Sequence, residues 1–278
     1  MTDECIHGFE RELCDICAPR KREPLLDADG EVRTLTTKRR AASRKPESLR
    51  STPALARDSA AVAVAAQSAA APVPVFAQQR VYHWTHVTNL PAIIAAGALR
   101  PGAAAEPELD VSSEATRALR ASVTSASGVV LAEHVPFSLS PHASAWDVLR
   151  SGADGYEWSD AARAAKATDF VMLVVPVSSL DDGFVVTEGD AAVQGVRQAV
   201  GLDDAASMVR RFSLADPDLL EPEVLVPGGV SLEAVTLVGV PNDKMRDRVK
   251  QLFADSSDHA PRVAVYPPWF RPAEVATA

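Results

Sequence analysis

The 278-residue chain carries 28 Lys and Arg against 37 Asp and Glu, a formal net charge of −9, with 47% apolar and 23% charged residues. That is enough apolar material for one domain of about 200 residues plus extensions, and no apolar run reaches the roughly 18–20 residues that span a bilayer. The opening residues, MTDECIHGFERELC, have neither a basic start nor an apolar core, which argues against a secretory signal. The expectation is a cytoplasmic protein with no membrane partner.

All three cysteines fall in the first 20 residues, beside a histidine: Cys5, His7, Cys14 and Cys17. A reducing compartment disfavours a structural disulfide. Three thiolates and one imidazole instead make a closed tetrahedral zinc set, which would be structural because no position is left for substrate. Cys14 and Cys17 have knuckle spacing, while Cys5 and His7 are closer than the usual gap. A frayed tail with three incidental thiols would carry the same residues.

Residues 21–78 read as a disordered linker. Between 38 and 57 lie seven basic residues and one acid, Glu47, and residues 59–74 carry no charge. Such composition cannot recover its ordering entropy by burial. The linker is either a solvated tether or a salt-dependent attractor of phosphates. From Gln79 onward the balance reverses, with 16 basic and 26 acidic residues. An acidic domain is a poor nonspecific nucleic-acid binder.

Residues 79–278 form the third segment, and it opens on a strand at 81–86. Alternation there sets His83 and Thr85 on one face and Tyr82, Trp84 and His86 on the other. Thr88 or Asn89 then caps a helix with Pro91 in its first turn, Leu90, Ile93 and Ile94 on its apolar face, and Gly97 closing it. A core strand with a satisfied histidine would show the same pattern. Residues 112–123 predict a helix with Glu114, Arg117 and Arg120 three apart. Strands follow at 134–139, 171–177 and 184–187, with a short helix within 141–152. Residues 223–226 make a strand that begins with Glu223, a carboxylate that costs energy there unless it has a partner or a task. Glu221 shares its face and is the rival. A strand at 234–240, an amphipathic helix at 243–253 and a strand at 262–266 complete the domain. There is no GxGxxG and no P-loop.

Three segments, YHWTHVTNL at 82–90, HVPFSLSP at 134–141 and PEVLVPGG at 222–229, resemble in order and spacing the DarT family. These are toxins that transfer ADP-ribose from NAD onto bases of single-stranded DNA. The resemblance implies an α+β ADP-ribosyltransferase-like fold, a mixed β core with flanking helices. It implies NAD as co-substrate, bound by His83, Thr85 and Asn89, with Arg117 or Arg120 assisting and Glu223 catalytic. It further implies single-stranded DNA as partner and an antitoxin of ADP-ribosylglycohydrolase type. The chain departs from the family at four places: His142 stands for an arginine, Ser138 and Leu139 for an aromatic pair, Asp190 for a histidine, and Leu219, Leu220, Glu221 and Pro222 for basic residues upstream of the glutamate. Those departures keep open an RNA or protein acceptor, or an inactive nucleic-acid-binding adaptor.

The cysteine set predicts about one zinc per chain by elemental analysis, lost when Cys14 and Cys17 are both changed to Ser. Zinc-free protein with three freely reacting thiols would overturn that assignment.

Overall fold

The computed structural model describes residues 75–215, 219–256 and 259–272. Cys5, His7, Cys14 and Cys17, and the basic stretch 38–57, lie outside the described residues. Within the described residues the folded part starts earlier than composition suggests. Phe76–Gln78 form a 3-10 turn, and Phe76 is buried against Phe184 with ring centroids 6.2 Å apart.

Ten strands and six α-helices are described. In chain order they are β1 (Arg80–His86), α1 (Leu90–Ala96), β2 (Ala98–Leu99), α2 (Glu114–Ser122), β3 (His134–Ser138), α3 (Ser144–Arg150), α4 (Asp160–Ala164), β4 (Phe170–Pro176), β5 (Val185–Thr187) and β6 (Gln198–Val200). They continue with α5 (Gly201–Ala215), β7 (Glu223–Pro227), β8 (Val230–Ser231), β9 (Leu237–Val240), α6 (Asp243–Ser256) and β10 (Arg262–Val265). Eight strands form one sheet in the order β10-β9-β4-β1-β3-β7-β5-β6, and β2 pairs with β8 in a separate ribbon. All pairings are antiparallel except β9 with β10. The architecture is the α+β class expected.

The sheet is two halves held at a narrow joint. β1 and β4 are in register over seven residue pairs and β3 and β7 over five, but β1 and β3 meet at the single pair Tyr82–Ser138. At the joint the Ser138 hydroxyl lies 3.0 Å from the Ser140 carbonyl and 3.3 Å from the Tyr82 carbonyl, and its one hydrogen is shared between them. Beyond the joint the strands part, and the His83 ring enters the gap, where Nδ1–H donates to the Pro136 carbonyl at 2.8 Å.

Two apolar layers cover the sheet. One face carries Val81, Val171, Leu173, Val135, Phe137, Val224 and Val226, packed under α1, α5 and α6. The opposite parity carries Phe170, Met172 and Val174, covered by Trp146 and Leu149 of α3 and by Trp269 and Phe270 of a C-terminal 3-10 turn. On the β7–β5 half that second face is thinner, with Leu131, Val185, Ala191 and Leu225. Successive side chains of a strand point to opposite faces, so the continuous apolar run of β4 buries a separate layer on each face. Among the described residues no helix is long and apolar enough to cross a membrane.

Most expected elements form, with physical differences at their ends. Asn89 occupies the N-cap position of α1 but makes no side-chain cap there. Its amide instead donates to Thr85 Oγ1 (3.1 Å) and to the Leu109 carbonyl (2.9 Å) and accepts the Leu109 N–H (2.9 Å). Gly97 ends α1 with φ 62°, the left-handed conformation that glycine adopts without strain. The strand expected at 234–240 starts only at Leu237, because Leu232–Ala234 are a 3-10 turn. α5, with Ala205, Met208 and Val209 on its buried side, was not read from periodicity, nor were the short strands β2, β6 and β8. Two- and three-residue strands carry too little pattern to be seen.

Asn89 ties β1, the start of α1 and the 100–113 loop together through three hydrogen bonds. Asn89→Ala should therefore lower stability by about 1–2 kcal/mol in the absence of any ligand, because the part-buried Leu109 N–H and carbonyl lose their partner. Thermal unfolding of the unliganded variant measures this, and an unchanged melting temperature would limit Asn89 to ligand contact.

Candidate active site

Glu223 begins β7, and the register sets it beside Ser138, itself beside Tyr82. Tyr82, Ser138 and Glu223 thus form one row across the joint, on the thinly covered face. The backbone N–H of Glu223 is held by Thr187 Oγ1 at 3.3 Å. Its carboxylate Oε2 lies 3.5 Å from Nη1 of Arg120, which reaches over from α2. The Glu223 side chain is 24% exposed and that of Arg120 19%. Burial pushes the Glu223 carboxyl above the ordinary carboxylate range. The Arg120 guanidinium opposes the shift, Asp190 adds to it, and the Ala191 N–H favours the charged form. Arg120 Nη2 and Glu223 Oε2 are both buried and make no hydrogen bond among the described residues. Two opposite charges without their full complement of hydrogen bonds, side by side in a partly closed place, are suited to receive a polar ligand.

The helix α2 carried two candidate arginines, and the structure separates them. Ser113 caps the helix, its hydroxyl accepting the Thr116 N–H at 3.1 Å. Arg117 turns back to this end, with Nη1 bonded to Asp110 Oδ2 (3.1 Å) and to the Ser112 carbonyl (2.5 Å). It does not pair with Glu114 as its spacing suggested. Arg120, one turn on, is the arginine that meets Glu223. The rival carboxylate, Glu221, precedes β7 in an exposed bend and takes the hydroxyl of Ser144 at the start of α3.

The remaining candidates gather on the other side of the joint. His83 and Asn89 line a cavity of about 510 Å³, together with Ile93 and Ala96 of α1 and Arg100 and Glu106 of the following loop. This volume lies in the range that holds small organic ligands. Burial lowers the His83 pKa, against the bond to the Pro136 carbonyl, so the ring is neutral near pH 7. Because Nδ1 donates to Pro136, Nε2 is left as an acceptor. Thr85 is buried beneath Asn89 and its hydroxyl accepts the Asn89 amide. Its contribution is to hold Asn89.

One group that sequence reading missed is His134, the first residue of β3, which is 2% exposed. Its Nδ1 donates to the Val130 carbonyl at 2.9 Å and its Nε2 accepts from Ser125 at 3.4 Å. Burial lowers its pKa, and Arg120 acts in the same direction. An uncharged ring is what can stand near Arg120 without repelling it. The available signal was its place in HVPFSLSP, with the same parity as Pro136 and Ser138. Among the described residues no group of His, Cys, Asp and Glu is arranged to hold a metal.

Comparison with known proteins agrees with this geometry. The family model described as ssDNA thymidine ADP-ribosyltransferase, DarT, matches residues 82–271. A DNA ADP-ribosyl transferase of Mycobacterium tuberculosis (strain ATCC 25618 / H37Rv) is 27% identical over 192 residues, covering 62% of this chain and 80% of that protein. The Thermus sp. 2.9 DarT in complex with ADP-ribosylated ssDNA superposes with a TM-score of 0.58 at 18% identity, covering 69% of this chain and 96% of the other. The same protein in complex with NAD+ gives a TM-score of 0.54 at 21% identity, covering 69% and 98%. The chain belongs to the DarT family of ssDNA thymidine ADP-ribosyltransferases, and it is an NAD-dependent enzyme that transfers ADP-ribose to a nucleic-acid base.

Proposed function

We propose that Glu223 is the catalytic carboxylate, that Arg120 assists it, and that His83 and Asn89 hold NAD in the cavity between α1 and the 100–107 loop. The observation that carries this reading is the Arg120–Glu223 pair at the sheet joint, with one buried, unpartnered atom on each side. NAD supplies the ADP-ribosyl group and a nicotinamide leaving group, and positive charge gathers on the ribose as their bond breaks. A carboxylate aimed at that charge stabilises it in a place where little water screens it. Glu223 also receives the proton released when a nitrogen of the target base attacks. Arg120 Nη2 is a free donor for a phosphate or a base carbonyl. His83 Nε2 accepts from a ribose hydroxyl, while Arg100 at the cavity wall faces phosphate.

The acceptor in this reading is thymidine in single-stranded DNA, as the family description has it. The role is that of a toxin, with an antitoxin that removes the modification; a Thermosipho africanus DarTG in complex with ADP-ribose has a TM-score of 0.51. The domain's own charge is −10 from Gln79 onward, so phosphate attraction falls to the site arginines and to the basic stretch at 38–57. At the N-terminus the proposal includes structural zinc on Cys5, His7, Cys14 and Cys17, from ligand type and clustering alone.

Glu223→Gln keeps shape and removes charge. It should retain NAD binding and lose at least about 10²-fold in transfer to thymidine-containing oligonucleotides. Glu221→Gln, a change in the exposed bend, should keep near-wild-type activity. Wild-type transfer in the Glu223 variant would remove the catalytic assignment.

The carboxyl must be ionised to act, and its pKa is raised. NAD cleavage should therefore rise with pH through a midpoint above the ordinary value of about 4.3. Stability moves the opposite way. A raised folded-state pKa means the stabilisation by the protonated form is full below the unfolded pKa and is lost as pH rises through the folded pKa. At neutral pH Glu223→Gln should thus melt above the wild type, with the gain vanishing in acid. A lower melting temperature for the variant at pH 7 would contradict the burial argument.

A further inference from the structure

The turn between β5 and β6 closes on Glu223 in three ways. Thr187 accepts its backbone N–H at 3.3 Å, and the Ala191 N–H favours its charged form. Asp190 contributes a carboxylate, Oδ1, 3.8 Å from Arg120 Nη1, the same nitrogen that lies 3.5 Å from Glu223 Oε2. An arginine and one carboxylate left to themselves settle into a fork, two parallel hydrogen bonds of about 2.7–2.9 Å. Here Nη1 is shared between two carboxylates at longer range, and Nη2 and Oε2 stay without a hydrogen bond among the described residues. Asp190 is not free to follow the arginine. Its Oδ1 also accepts the Ala192 N–H at 2.9 Å, which fixes it to the turn.

We propose that Asp190 is a positioning residue for the transfer: by drawing Arg120 Nη1 toward the β5–β6 turn, it keeps the guanidinium from closing a fork on Glu223. Glu223 Oε2 and Arg120 Nη2 are thereby kept for the substrate. This rests on Glu223 being the catalytic carboxylate. The other titratable groups around the pair are His134 on β3, neutral at 2% exposure, and Tyr82 two strands away on β1. Burial raises the Glu223 carboxyl most, and Arg120 and Asp190 are the charged groups that act on it in opposite directions. A neutral side chain at 190 would strengthen the hold of Arg120 on Glu223 from both sides, by freeing the cation and by removing a repelling anion.

Asp190→Asn tests this cleanly, because the amide oxygen still accepts the Ala192 N–H and the turn is preserved. The expected result is a fall of about tenfold in kcat for NAD cleavage, the scale of one charge-assisted hydrogen bond. KM for NAD should change less than about twofold, and the acid limb of kcat/KM should move to lower pH. In an Arg120→Lys background the effect of Asp190→Asn should shrink, since an ammonium cannot form the fork. A second measurement needs no substrate. The loss of thermal stability with rising pH that Glu223 causes should be smaller and should be complete at lower pH in Asp190→Asn than in the wild type. An unmoved acid limb together with an unmoved stability profile would overturn the proposal, as would an undiminished effect in the Arg120→Lys background. A wild-type protein unable to cleave NAD would instead fail the catalytic reading, and the stability profile would still report on Asp190.

Discussion

One residue pair, Tyr82 with Ser138, joins the two halves of the sheet, and the arrangement of the site follows from that constraint. Antiparallel strands that stay in register over their whole length leave no room between them. β1 and β3 pair once and then separate, so a gap opens inside the sheet. His83 occupies it and satisfies the Pro136 carbonyl that pairing would otherwise have used. The same pair places Glu223 one strand further along. The cavity wall at His83 and the carboxylate at Glu223 are therefore referred to a common point, although they have opposite parity in the sheet.

A site built this way stores unfavourable electrostatics. Glu223 is held among apolar layers where burial raises its pKa, and Arg120, which opposes that shift, lies 3.5 Å from it and 3.8 Å from Asp190. A fully satisfied ion pair would be more stable and less available. The surrounding core carries the cost: both faces of β4 are buried, and aromatic residues from α3 and the C-terminal turn pack across it. Around the pair, rigid neighbours limit relaxation. Thr187 holds the Glu223 backbone, and His134 stands neutral beside the arginine.

Charge is distributed to match. The catalytic domain is acidic as a whole, which suppresses indiscriminate nucleic-acid binding. Against that background, Arg120 stands at the joint and Arg100 at the cavity wall.

Local pattern determined much of this. Alternation in YHWTH made β1 and gave His83 and Tyr82 opposite parity; the apolar run at 171–177 read as a buried strand, which forms as Phe170–Pro176; and a carboxylate heading an apolar strand marked Glu223. Those properties depend on neighbours in the chain, so they are written there. Other features depended on which surfaces meet. Arg117 and Arg120 are equivalent by spacing, and only the docking of α2 sends one to Asp110 and the other to Glu223. Asn89 has the residue type and position of a helix cap, yet a loop 20 residues away offers its amide better partners. His134 and Asp190 acquire their relation to the site through contacts with α2. Such contacts join residues far apart in the chain, and no local period encodes them.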